Sequence, residues 1–197
     1  MSRGLGDVYK RQEEYILEME WAGADLIEIG IPFSDPIAEG PVIQEADIRA
    51  LSGGVTTDDI FDMVKKLREK TEIPLVFMTY LNPVFHYGYE AFFERCQDVG
   101  IDGIIIPDLP FEEKEEVDVV ASRYGIDLIS MIAPTSKERI RKIAKGAKGF
   151  LYVVSSMGVT GERTNITTDI GGMLKEIRSV SSCLLYTSPS PRDMRRS

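Results

Sequence analysis

Two carboxylates stand out in Leu26-Ile-Glu-Ile-Gly-Ile-Pro-Phe-Ser-Asp-Pro-Ile-Ala-Glu-Gly-Pro-Val-Ile-Gln44. Glu28 sits on a run with strand periodicity. Ile27, Ile29 and Ile31 share one face and Leu26, Glu28 and Gly30 the other, because successive strand residues alternate. On a half-exposed antiparallel sheet Glu28 would simply face water. The run leads instead into Pro-Phe-Ser-Asp-Pro, with a second acid at Glu39. An acid on a strand that opens into an acid-bearing loop suits the carboxyl end of a parallel strand, where barrel enzymes keep their reacting groups. Two carboxylates in different environments can divide acid and base roles. Asp35 has the setting of a turn residue that bonds loop amides. A second loop, Ser155-Ser-Met-Gly-Val-Thr-Gly161, follows another apolar run. Gly-flanked loops of this kind can close over a substrate and offer backbone N–H groups to a phosphate. His86 is the single histidine, so serine-type triads and histidine-based metal sites have no support.

The elements that must position these groups follow one rhythm. Helical spacing covers Glu13–Gly23, Pro41–Ser52, a segment capped at Thr57-Asp58-Asp59, Tyr89–Val99, Glu112–Tyr124, Ser136–Ala144 and Thr168–Val180. Between them lie five apolar runs: Asp25–Ile31, Ile73–Tyr80, Asp102–Pro107, Ile126–Ala133 and Phe150–Ser155. The second stops at Asn82-Pro83, and His86 falls in a Gly/Tyr loop beyond it. Alternation of this kind predicts βα units around a parallel sheet. Runs such as Gly-Ile-Ile-Ile-Pro are apolar throughout, as strands covered on both faces are.

Composition is that of an ordinary soluble domain, 43% hydrophobic and 28% charged over 197 residues. No apolar run approaches the ~20 residues of a membrane helix, and no secretory signal is visible. Cys96 and Cys183 suggest neither a disulfide framework nor a metal site; a reducing cytoplasm is the expected compartment. Residues 1–11 and 184–197 lack periodicity and resemble translated adapter sequence, so the domain is expected over 12–183. Each tail carries a net charge of +2, which leaves the interior at −13 against −9 for the whole chain. So acidic a surface does not suit nucleic acid, whose phosphates need a basic one.

Glu28-Ile-Gly-Ile-Pro-Phe-Ser-Asp-Pro-Ile-Ala-Glu-Gly-Pro41 closely resembles the diagnostic motif of the tryptophan synthase α chain family. The resemblance implies an α/β fold, a (β/α)8 TIM barrel, of which residues 12–183 would supply strands 2 to 6 with their helices, strands 1, 7 and 8 being absent. It implies Glu28 as general acid/base and Glu39 as second carboxylate, where the family most often has Asp. Thr79-Tyr80-Leu-Asn-Pro83 resembles the family's indole-pocket motif. Tyr80 and Tyr152 would then be substrate-binding, although aromatics on strands are more often core. Gly158-Val-Thr-Gly161 resembles the family's mobile sixth loop, which makes Thr160 and Gly161 substrate-binding, one by its hydroxyl and the other by an amide. Asn82 and Asp108 look like loop-organising or subunit-contact residues.

The implied activity is retro-aldol cleavage of indole-3-glycerol phosphate to indole and glyceraldehyde 3-phosphate in tryptophan biosynthesis. No metal and no cofactor would be needed, pyridoxal phosphate being expected only in a β chain partner within an α2β2 heterotetramer. The chain by itself would be inactive, lacking the later units that grip the phosphate. Two alternatives stay open: another phosphate-binding TIM-barrel enzyme, or a non-catalytic subunit that only binds and activates a β chain. A lysine at a strand end would favour an indole- or ribose-phosphate synthase, and none of the five runs ends in one.

Overall fold

The strands sort their side chains by parity, and the two faces bury different things. In the computed structural model, which describes residues 5–154 and 169–186, β1 (Ile27–Gly30), β2 (Leu75–Met78), β3 (Gly103–Ile105) and β4 (Asp127–Leu128) pair in that order. A second sheet has the order β5 (Ser130–Ile132), β6 (Phe150–Val153) and β7 (Leu184–Tyr186). Every pairing is parallel, with Glu28 opposite Val76 and Tyr152 opposite Tyr186.

The run Ile126–Ala133 is thus divided at Ile129. The Ile129 N–H still donates to Ile104 O at 2.9 Å, so β4 and β5 are two halves of one strand. The first half pairs with β3 and the second with β6. The strand therefore turns its pairing from one neighbour to the next, as a curving parallel sheet requires.

One face of this sheet carries Ile27, Ile29, Leu75, Phe77, Ile104 and Leu128, all in the main core. These pack against the apolar stripes of the helices, as in α3 (Thr57–Arg68), which buries Ile60, Phe61, Met63, Val64 and Leu67. Ile132, Leu151 and Val153 do the same with α7 (Lys137–Lys145) and α8 (Ile170–Arg178). The other face holds a separate cluster of Val76, Ile105, Ile129, Phe150 and Tyr152, with Leu26, Met78 and Tyr186 against it. Two apolar faces, one covered by helices and one turned inward, are the layout of a (β/α) barrel.

Several elements differ from the spacing. The helix expected over Glu13–Gly23 is α1, Leu5–Trp21, which runs back through residues grouped with the amino-terminal tail. Leu184–Tyr186, grouped with the carboxyl-terminal tail, add a sixth strand position beside β6. Three residues are too few to show a period, and what fixes them is the open edge of β6. The cap of α3 is Thr56, one residue earlier than expected. Its hydroxyl accepts from Asp59 N and Asp59 answers through Thr56 N, a reciprocal pair that satisfies two otherwise orphan donors. Leu81–Tyr87 form a short helix, α4, where a loop was expected. Pro83 lies in its first turn, where a missing N–H costs nothing. His86 is exposed there. Between α6 (Glu115–Arg123) and the expected start at Glu112 the chain makes turns.

At the amino ends of β2 and β3, Arg68 fastens three segments together. Its guanidinium donates to Gly100 O at 2.8 Å, Ile73 O at 2.6 Å and Asp102 Oδ2 at 2.7 Å. Asp102 also accepts from Leu75 N at 2.8 Å. Gly100 ends α5 (Tyr89–Val99) at φ +79°, and a Cβ there would lie 3.1 Å from Arg68 Nε, so both conformation and space call for glycine.

Candidate active site

Strand parity decides where Glu28 goes. Its isoleucine neighbours occupy the helix-packed face, so its side chain shares the inward face with Leu26 and with Val76 across the ladder. There Glu28 Oε1 is removed from water and has no hydrogen-bond partner among the described residues. A charged carboxylate in that position loses hydration without compensation. Burial accordingly raises the Glu28 pKa from 4.5 to about 7. Near neutrality the group populates both protonation states, the condition for giving and taking a proton.

The aromatic side chains of β6 and β7 share this face. The Tyr152 and Tyr186 ring centroids are 5.4 Å apart, and those of Phe150 and Tyr186 5.8 Å. Tyr186 titrates above its ordinary range, first through burial and then through the charge of Glu28, which places it near that carboxylate. The sequence gives no warning of Tyr186, since its strand is too short to be recognised.

Glu39 is nearly buried, 9% exposed, in the loop after β1. Tyr80, at the end of β2, holds this loop. Its hydroxyl accepts from Ala38 N at 2.8 Å and donates toward Glu39 Oε1 at 3.4 Å. The Phe33 and Tyr80 rings lie 5.5 Å apart, so the aromatic body packs on the start of the same loop. The structure therefore joins Glu39 with Tyr80 beyond the ends of the paired strands β1 and β2, and Tyr152 with Tyr186 on β6 and β7, where Tyr186 senses the charge of Glu28. Asp108 accepts from Leu81 N at 2.9 Å, the loop-organising role expected of it. Thr160 and Gly161 lie outside the described residues.

Helix α2 (Pro41–Ser52) brings in two residues that spacing alone did not reveal. Gln44 Nε2 donates to Glu39 O at 2.8 Å. Asp47, on the same helix, is raised in pKa, by burial first and by the charge of Glu39 second. The two stand three residues apart on one helix face, but what brings that face to the loop is the return of α2, which no local spacing encodes.

A cavity of about 390 Å³ opens beside the strand, walled by α1, β1, α2 and α3, with Glu28, Pro32 and Asp47 among its lining residues. Among the described residues no group of three or more His, Cys, Asp or Glu could hold a metal ion. None of their helices is long and apolar enough to cross a membrane.

Comparison with known proteins bears on this arrangement. The family model for the tryptophan synthase alpha chain matches residues 4–185. A tryptophan synthase alpha chain from Alkaliphilus metalliredigens is 54% identical over 166 residues, which are 84% of this chain and 62% of that protein. One from Clostridium acetobutylicum is 45% identical over 194 residues, 97% of this chain and 73% of its own length. Among solved structures, the tryptophan synthase subunit alpha of Campylobacter jejuni superposes with a TM-score of 0.82 at 34% identity, covering 95% of this chain and 76% of that one. The tryptophan synthase a2b2 complex of Pyrococcus furiosus gives 0.82 at 34% identity, over 91% and 73%. The chain spans less than two thirds of the length of several of its relatives, 62% to 64% in the Alkaliphilus, Lacticaseibacillus and Caldanaerobacter proteins.

Proposed function

This chain belongs to the tryptophan synthase alpha chain family, and from that premise we propose that the protein it represents is a carbon–carbon lyase. Its reaction is retro-aldol cleavage of indole-3-glycerol phosphate to indole and glyceraldehyde 3-phosphate. The observation that carries this reading is Glu28, a carboxyl on the inward face, unpartnered at Oε1 and raised to about 7.

In its protonated form Glu28 delivers a proton to indole C3. The ring becomes an indolenine, and its electron-poor C2–N bond draws in the electrons of the C3–glycerol bond as that bond breaks. The carbinol carbon of the glycerol chain becomes the aldehyde, and the proton of its hydroxyl passes to a carboxylate. Proton transfers of this kind contribute about 10²–10⁴-fold. Glu39, steadied by Tyr80 and Gln44, accepts the indole N–H and stabilises positive charge as it develops on the ring. Tyr80 and Tyr152 offer aromatic faces to the indole, which stacks on or against such rings. Thr160 and Gly161 serve the phosphate end. The protonated ring is the electron sink, so neither metal nor cofactor has a step to perform.

The partner on this reading is a β chain carrying pyridoxal phosphate, in a cytoplasmic α2β2 assembly; the family resemblance and the named Pyrococcus complex support it. Phosphate-binding barrels grip the phosphate largely with the loops after strands 7 and 8. The chain as it stands is accordingly expected to release no indole. The test is a graft. Residues 12–183 replace the matching segment of the full-length Alkaliphilus relative, and indole release from indole-3-glycerol phosphate is followed. Turnover within about tenfold of the parent relative is expected, since acid/base groups and their setting are retained. A folded graft without turnover would overturn the proposal.

A further inference from the structure

The strand that divides at Ile129 leaves a gap beside it. Up to that residue it follows β3, with Ile129 N donating to Ile104 O at 2.9 Å; from Ser130 it follows β6. The chain after β3 meanwhile curls into a turn, with Leu109 N donating to Ile106 O at 3.2 Å. A cavity of about 30 Å³ lies where the two part, with Ile106, Ser130 and Met131 on its strand side and Phe111, Lys114 and Ile143 toward the helices. Parity turns the Ser130 side chain to this helix-packed side, between the buried Leu128 and Ile132. Ser130 is 7% exposed, and its hydroxyl is shut off from solvent with no hydrogen-bond partner among the described residues. A hydroxyl so placed gives up its hydration without return.

We propose that this cavity is a binding site for one water molecule, which satisfies Ser130 Oγ and fills the gap where the strand leaves β3. The size suits it: roughly 10–15 Å³ of such space holds a water, and no organic ligand fits in about 30 Å³. A buried water needs about two to four polar partners, and the walls supply them. Ser130 Oγ is the first. Lys114 is the second: its ammonium makes long contacts, 3.4 Å to Gly146 O and 4.0 Å to Asp118 Oδ2, and has an N–H to turn inward. Main chain is the third, because Ile129 and Met131 commit their side chains to the inner cluster and meet a helix-side cavity with their backbone. Met131 stands opposite Tyr152 in the ladder. The water therefore backs the inner face at the residue beside Tyr152; that consequence rests on the lyase reading, and the site itself does not.

Two measurements on the full chain test this without turnover. Oxygen-17 relaxation dispersion of the solvent counts the waters that a protein holds for longer than it tumbles. Ser130→Val removes the hydroxyl and fills the space, so the count is expected to fall by about one molecule. Urea denaturation of Ser130→Ala supplies a sign. With a water bound the hydroxyl is satisfied, and removing it is expected to lower the folding constant by about two- to tenfold, the weight of one hydrogen bond. In a dry cavity the same substitution deletes a hydroxyl that nothing satisfies, and the midpoint rises instead. An unchanged water count in folded Ser130→Val, or a Ser130→Ala midpoint at or above that of the parent, overturns the proposal. Where Ser130→Val does not fold, the sign in Ser130→Ala decides alone. Neither readout involves Glu28 or indole release, so failure here is distinguishable from failure of the lyase reading.

Discussion

Glu28→Gln should make the folded chain more stable at alkaline pH and leave it unchanged in acid. Glu28 has a folded pKa of about 7 against 4.5, so between those values the folded chain holds more of this proton than the unfolded chain. Stability then falls as pH rises through that window, and the penalty is complete above pH 7. A displacement of this size corresponds to roughly 3 kcal/mol at 1.36 kcal/mol per pH unit. Because the side chain is only half-buried, solvent screening reduces the expected effect to about 1–2 kcal/mol. Glutamine has the same shape and no charge at any pH, so its stability lacks this dependence. Urea denaturation of both chains at pH 4.5 and pH 8 supplies the measurement. The midpoints should coincide at the lower pH, and the Gln variant should lead by about 1–2 kcal/mol at the higher. A difference that is the same at both values would show that the Glu28 carboxyl is not desolvated, and the argument for its proton transfer would go with it.

Three further outcomes follow from the contacts. Tyr80→Phe removes the acceptor for Ala38 N and the hydroxyl that reaches Glu39; a loss of about 1–3 kcal/mol in denaturation is expected, and an unchanged midpoint would show the loop to be held elsewhere. Arg68→Lys replaces a fork serving three acceptors by a point charge, for about 2–3 kcal/mol of stability; a thermal melt within a degree of the parent would refute the clamp. In the graft, shortening the loop over residues 33–39 should weaken capture of a β chain in a pull-down, because loops on rigid barrels carry such contacts; undiminished capture would place the interface on another surface.

The fold was largely legible where period and punctuation agreed. Ile27, Ile29 and Ile31 against Glu28 settled both the strand and the face of the acid, and the helix-packed cluster confirms that division. Gly100, Gly125 and Gly149, all at positive φ, stand where a helix hands over to a strand. What stayed hidden had tertiary causes. Pro83 imitates a breaker but sits in the first turn of a helix. Ile129 divides one apolar run because its two halves face different neighbours. Leu184–Tyr186 become a strand only because β6 offers an unpaired edge.

The candidate site shows the same split. Glu39 and Tyr80 belong to separate segments that a motif can associate but only folding brings to 3.4 Å. Gln44 reaches the loop because α2 turns back on it, and no local pattern encodes that return. Tyr186 enters the inner face with a segment whose sequence has no period of its own.

The most direct test of the lyase account is the rate of indole release by the grafted enzyme carrying Glu28→Gln, measured with saturating indole-3-glycerol phosphate at pH 7. The account predicts a fall of about 10²–10⁴-fold in kcat with little change in substrate affinity, since shape is kept and only proton transfer is lost. A variant that keeps more than about a hundredth of the unsubstituted graft's rate would contradict the assignment of Glu28 as the group that moves the proton.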